Sequence, residues 1–166
     1  MDKLWAPWRV KYITKILKGP KGKGCVFCKI LSEKKDKKNF IITRKKHSYA
    51  VLNLYPYNNG HMLIVPNRHV FDFSGLKREE REELMDLLES IKKLLDKIMK
   101  PHGYNVGINL GKAAGAGFPE HVHIHLVPRW NGDVNFMPVT GHTKVISQSL
   151  RALHDLMTTE YRKKNK

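Results

Sequence analysis

Histidine occupies every second position in the stretch EHVHIHLVPRW: His121, His123 and His125 alternate with Val122, Ile124 and Leu126. Strict alternation is the period of a β-strand, in which residues i, i+2 and i+4 share one face in steps of about 6.6 Å. The pattern sends Val122, Ile124 and Leu126 into a core and lines the opposite face with three imidazoles. An exposed strand that merely happens to carry histidine is the plainer alternative, and it suits a lone residue better than three in register. Imidazole titrates near neutrality and serves as nucleophile, proton carrier or metal ligand. A packed row of three therefore points to one of those jobs.

Two further groups bear on the same chemistry. The connection before the row, NLGKAAGAGFPE, carries Gly111, Gly115 and Gly117 with alanines between them. Such a loop lets backbone N–H groups approach a phosphate with no side chain in the way. Asn109, at the start of the loop, can donate an amide hydrogen bond to a phosphate or leaving-group oxygen, or can serve simply as a turn residue. Cys25 and Cys28 form CVFC and are the only cysteines in the chain. They read as half a zinc site, a redox pair or two inert thiols. Zinc usually takes four ligands, and His69, in PNRHV, and His121 are the candidates for the other two. A metal held this way is structural, with His123 and His125 left to face a substrate.

The elements that must position these residues follow from periodicity. Strand candidates rich in β-branched and aromatic residues lie at 40–44, 49–54, 61–66, 104–110 and 122–129. The first two are expected to pair antiparallel through KKHS, and YPYNNG supplies the turn before the third. Leu84, Leu87, Leu88, Ile91, Leu94, Leu95 and Ile98 recur at helical spacing over Ser74–Lys100, with Ser74 or nearby acids as the cap and Pro101 and Gly103 as the stop. That stripe reads as core. Leu150, Leu153, Leu156 and Met157 mark a second helix over 147–161. The expected architecture is α+β: a five-stranded, mainly antiparallel sheet, one long helix and a C-terminal helix, with the histidine row on the last strand.

At 166 residues and 41% hydrophobic content, one soluble domain with a single core is expected, with no need of disulfide staples. No apolar run approaches the roughly 20 residues of a membrane span, and the N-terminus has no cleavable signal pattern, so the cytoplasm is the expected compartment. The formal charge of +16 is concentrated: residues 1–46 hold fifteen Lys or Arg against Asp2, Glu33 and Asp36. A basic arm of this kind attracts polyanions, whether nucleotide, nucleic acid or anionic membrane, or is simply a solvated surface. Residues 1–24 read as this arm and its GPKGKG linker. Trp5, Trp8 and Tyr12 can dock it on the domain, and Ile13, Ile16 and Leu17 can begin a short helix after Pro7.

These residues carry a resemblance. His121-Val122-His123-Ile124-His125-Leu126-Val127 matches the histidine triad signature His-φ-His-φ-His-φ-φ, with φ apolar, in full. The likeness extends through NLYPYNNGHMLIVPNRH upstream and PRWNGDVNF downstream. The chain resembles histidine triad (HIT) proteins, and within them the branch of dinucleoside polyphosphate hydrolases and bacterial diadenosine tetraphosphate phosphorylases. The resemblance implies a HIT-like catalytic domain over residues 25–166 and a homodimer that joins two five-stranded sheets into one. It implies that His123 attacks the α-phosphate to form a nucleotidyl-histidine, that His125 and Asn109 hold the phosphate, and that His61 completes a histidine tetrad. Asn53 matches the position of a ribose-binding residue, and Gly115 and Gly117 lie in the phosphate-facing loop. Cys25, Cys28, His69 and His121 match the ligands of the zinc-binding bacterial members. The loop lacks the Gly-Gln-Ser of the smaller phosphoramidase branch, so its donors near Gly117 are expected to be backbone groups. For His123 to act as a neutral nucleophile, its other ring nitrogen must donate to a carbonyl, expected in or near the glycine loop. The rival activities are a nucleoside phosphoramidase, a nucleic-acid-binding protein acting on adenylated 5′ ends, and a nucleotide-binding regulator without catalysis.

Overall fold

A computed structural model describes residues 24–134 and 148–164. The docking of Trp5, Trp8 and Tyr12 and the helix at Ile13–Leu17 lie outside the described residues. Two short helices, α1 (Val26–Glu33) and α2 (Asp36–Asn39), lead into strands β1 (Ile41–Arg44), β2 (Ser48–Leu52) and β3 (Met62–Pro66). A 3-10 turn at Phe73–Gly75 precedes the long helix α3 (Arg78–Met99), followed by β4 (Gly103–Gly107), β5 (Ile124–Arg129) and α4 (Leu150–Lys164). The strands form one five-stranded sheet in the order β1-β2-β3-β5-β4, with every pairing antiparallel. No helix among the described residues is long and apolar enough to cross a membrane.

Both faces of the central strands are covered. On one face Ala50, Leu52, Met62, Ile64, Ile124 and Leu126 pack with the leucine stripe of α3 and with Leu153 and Met157 of α4. Each large aliphatic side chain buried there contributes about 1.5–3 kcal/mol. On the other face Tyr49, Val51, Leu63 and Val65 pack against Phe27 of α1, so β2 and β3 are buried at every position. The expected strands are all present, with shifted ends. Strand β1 begins at Ile41 because Phe40 takes a left-handed conformation, φ 57°, and β2 ends at Leu52, with the Asn53 N–H on the His61 carbonyl as a last rung before the turn.

Of the two expected caps of α3, the nearby acid is borne out and Ser74 is corrected. Ser74 does not start the helix; its N–H binds Asp72 Oδ1 at 2.8 Å within the 3-10 turn. The helix starts at Arg78, where the Glu80 carboxylate accepts the Lys77 N–H at 2.7 Å, an acid satisfying an orphan donor in the first turn. Arg68 holds the same carboxylate, and together these bonds pull Glu80 down to about 2.

Candidate active site and metal centre

The histidine row lies only in part on the last strand. His121 and His123 precede β5, which begins at Ile124, opposite Ile64. The Val122 N–H instead binds the carbonyl of Val70, beyond the end of β3. The alternation nevertheless holds: Val122, Ile124 and Leu126 join the helix-covered core, and the three histidines face the other side. That side is not open surface, because His121, His123 and His125 are 1%, 5% and 9% exposed. Phe27 of α1 covers them, its ring 5.4 Å from His121 and 4.9 Å from His123.

Hydrogen bonds settle which nitrogen of each ring faces inward. His121 Nε2 lies 3.0 Å from the Pro66 carbonyl, which can only accept, so Nε2 carries the proton and Nδ1 keeps its lone pair. Nδ1 sits 3.2 Å from Cys25 Sγ and 3.7 Å from Cys28 Sγ, and His69 Nδ1 lies 3.4 Å from Cys28 Sγ. All four donor atoms fall within 4.8 Å of one another. Tetrahedral zinc with bonds of 2.0–2.3 Å requires donors roughly 3.3–3.8 Å apart. The donor set fits zinc, and the proton on His121 Nε2 provides the carbonyl-anchored ligand geometry such sites use. Burial pushes His121 down to about 4, which keeps the imidazole neutral, and burial raises the Cys28 thiol.

At His123 the roles of the two nitrogens are reversed. Its Nδ1 donates to the His121 carbonyl at 2.8 Å, leaving the Nε2 lone pair. The anchoring carbonyl therefore belongs to the row itself and not to the glycine loop, a correction to the expectation. An extended backbone brings that carbonyl back toward the ring two residues on. Burial lowers His123, so it is the neutral ring that is held here.

His125 takes its protonation from a chain of donors. The Tyr57 N–H binds His61 Nδ1 at 3.0 Å, so His61 carries its proton on Nε2 and donates to His125 Nδ1 at 2.9 Å. Neutral His125 then carries its proton on Nε2, and Asn109 Nδ2, itself a donor, lies 3.5 Å from that nitrogen, so the two sit side by side as donors and do not bond each other. Tyr57 also stacks on His125, with the planes at 10°.

A solvent-open cleft runs past His123 and His125. Its apolar wall is Val26, Phe27 and Ile30 of α1, and Asn53, Gly115 and Gly117 line it elsewhere. The Asn53 side chain accepts the Tyr55 N–H at 3.0 Å and lies 3.3 Å from His61 Nδ1. In the loop, the Gly115 and Ala116 N–H groups bind the Lys112 and Gly111 carbonyls, so these two donors are engaged within the loop itself. The sequence reading missed Phe27 and Tyr57. Val26, Phe27, Ile30 and Leu31 do form a helical stripe within CVFCKIL, but the cysteines drew the whole segment into a metal argument.

An antiparallel sheet that carries a buried histidine row at a cleft is the arrangement of a family of nucleotide-site proteins. The chain belongs to that family: the HIT domain model matches residues 34–132. It is 39% identical over 166 residues to the AP-4-A phosphorylase of Mycobacterium tuberculosis, covering 97% of this chain and 85% of that protein. It is 38% identical over 105 residues to the adenosine 5′-monophosphoramidase of Saccharomyces cerevisiae, covering 63% of this chain and 62% of that one. A Zn-bound histidine triad family protein from Mycobacterium smegmatis shares the fold, with TM-score 0.68 at 24% identity over 86% of this chain and 96% of that one.

Proposed function

We propose that this chain is an enzyme that cleaves dinucleoside polyphosphates of the diadenosine tetraphosphate type through a nucleotidyl-histidine on His123, with phosphate or water as the final acceptor. The observation that carries this reading is the His123 ring, tied to a backbone carbonyl through Nδ1 and lining the cleft beside His125. The similarity to a named AP-4-A phosphorylase over nearly the whole chain supports the substrate class.

In this mechanism Nε2 of His123 attacks the α-phosphorus, the P–O bond to the leaving nucleoside polyphosphate breaks, and that bond's electrons leave with its oxygen. The Nε2–H of His125 and the Asn109 amide lie where they can hold the phosphate as its charge develops. His61 orients His125. Val26, Phe27 and Ile30 enclose a nucleoside, Asn53 reaches its ribose, and Gly115 and Gly117 let the phosphate approach the backbone. Phosphate or water then displaces the nucleotide from His123. Residues 25–166 form the catalytic domain in this reading, and the basic arm, residues 1–24, is an accessory that can meet polyanions, nucleic acid included.

Zinc is the metal that suits Cys25, Cys28, His69 and His121. Its contribution is structural: with four protein ligands it joins α1 to the histidine row. The proposed homodimer pairs edge strands β4, whose outer edge is unpaired among the described residues and where Val106 is exposed, with Leu110 exposed just beyond the strand. A cytoplasmic location completes the reading.

Product analysis with diadenosine tetraphosphate tests the activity. ADP and ATP formed only with added phosphate identify a phosphorylase, and AMP and ATP without it identify a hydrolase. No cleavage in either condition, together with turnover of an AMP-amine, overturns the substrate class in favour of a phosphoramidase.

A further inference from the structure

Two motifs remain without a task in this mechanism: the middle of NLYPYNNGH, and PRWNGD after the histidine row. The structure joins them. Asn58 uses both amide hydrogens on the second motif, donating to the Pro128 carbonyl at 3.0 Å and to Asp133 Oδ2 at 2.7 Å. Arg129 grips the same carboxylate with two bonds, Nε to Oδ2 at 2.6 Å and Nη2 to Oδ1 at 2.7 Å. The Trp130 N–H adds a third bond to Oδ2 at 3.1 Å. The sixth contact leads to the sheet edge, where Arg129 Nη1 donates to Asn105 Oδ1 of β4 at 2.6 Å. The Asp133 side chain is 9% exposed whereas Arg129 is 41% exposed, so the carboxylate is enclosed beneath a cation that reaches the surface.

Asn58 stands next to Tyr57, whose N–H donates to His61 Nδ1 at 3.0 Å and, with the Asn53 Nδ2 amide at 3.3 Å, keeps the His61 proton on Nε2. Gly60, at φ +75°, lets the chain press on the sheet: a Cβ there would meet Met99 Sδ at 2.8 Å and the Pro128 ring at 3.2 Å. The Asn58 carbonyl accepts the His61 N–H at 3.2 Å, closing a short ring around Asn58, Tyr57 and His61. If the turn lifts and the Asn53 amide turns its oxygen to the ring, His61 can take its proton on Nδ1, and the order of donors reverses. His61 Nε2 would then accept from His125, and His125 would turn a lone pair, not a proton, toward an approaching phosphate oxygen.

We propose that Asp133, acting through Asn58, is a positioning residue that sets the proton order of the His61–His125 pair. Arg129 and Asn105 hold Asp133 in place and tie the setting to the β4 edge. The proposal rests on the nucleotidyl-histidine reading above.

The test compares Asn58→Ala, Asp133→Ala and the double variant with His123→Ala, measuring kcat and KM for diadenosine tetraphosphate and the imidazole nitrogen shifts of His61 by NMR. Each single variant is expected to lose roughly 10- to 100-fold in kcat with KM changed little, as for other outer-sphere partners of a reacting group. The double variant should fall no further than the worse single one, because both cut the same connection. The His61 signals should move from a pure Nε2–H form to a mixture of the two forms. Wild-type kcat and an unchanged His61 proton in both single variants, with His123→Ala inactive, overturn the clamp and leave the reaction standing. An active His123→Ala overturns the underlying reading, and the His61 spectra then still decide the clamp. If Asp133→Ala does not fold, Asp133→Asn carries the same measurement and the same two outcomes.

Discussion

His121 and His123 sit two residues apart, face the same side of the sheet and are both buried, yet their hydrogen bonds leave opposite ring nitrogens open, and the proposed function gives them opposite tasks. Each is anchored to a backbone carbonyl, but by opposite nitrogens. His121 gives Nε2 to Pro66 and turns Nδ1 to the cysteines, whereas His123 gives Nδ1 to the His121 carbonyl and keeps Nε2 for the cleft. The residue type sets what is chemically available, and the nitrogen that is tied down sets which task results. In the proposed reading the histidine row is two sites built on one stretch of backbone.

The sharpest way to break this comparison is to exchange the two histidines for alanine one at a time. His123→Ala should lower kcat by about 10⁴-fold or more, as loss of a nucleophile does, while zinc content and AMP affinity stay at wild-type values. Steady-state kinetics alongside metal analysis reads both. His121→Ala should give the reverse. The protein loses its zinc and about 2–4 kcal/mol of stability, the worth of a ligand present at 100 to 1,000 times its dissociation constant. It retains most of its kcat, because alanine keeps the carbonyl that anchors His123. If thermal melts with and without a chelator show no difference between His121→Ala and wild type, the division between the two histidines fails.

The smallest effect belongs to a group remote from both sites. Glu80 has a depressed carboxyl, held by Arg68 and the Lys77 N–H. A depressed acid stabilises the fold above its unfolded value of 4.5 and loses that contribution as pH falls toward about 2. Glu80→Gln should therefore cost about 1 kcal/mol at neutral pH, a difference that shrinks through that acid window in denaturant titrations. Its kcat should not change, which makes it the control for stability effects in the other variants.

The sequence showed different parts of this molecule with different clarity. The five strands, the leucine stripe of α3 and the inward alternation of Val122, Ile124 and Leu126 were legible because each is a local period. The clustering of Cys25, Cys28, His69 and His121 as a candidate metal site was legible because the types are rare and the chemistry selective. Helices α1 and α2 were not, since lysines crowd CKILSEKKDKKNF and the apolar stripe that faces the cleft is only a few residues long. The carbonyl partner of His123 and the Tyr57 N–H on His61 were invisible for a deeper reason. Both are backbone groups, and no side-chain pattern records where a backbone group will point.

The central claim is that His123, and neither of its neighbours in the row, carries the nucleotide. The direct measurement is a rapid quench into base of enzyme mixed with adenine-labelled diadenosine tetraphosphate, followed by peptide mapping by mass spectrometry; base is chosen because the P–N bond of a phosphoramidate is acid-labile. The account predicts an adenylyl group on His123 that forms at least as fast as product and disappears on addition of the acceptor. Product formation at the full rate with no adduct, or with the adduct on His121 or His125, would contradict it.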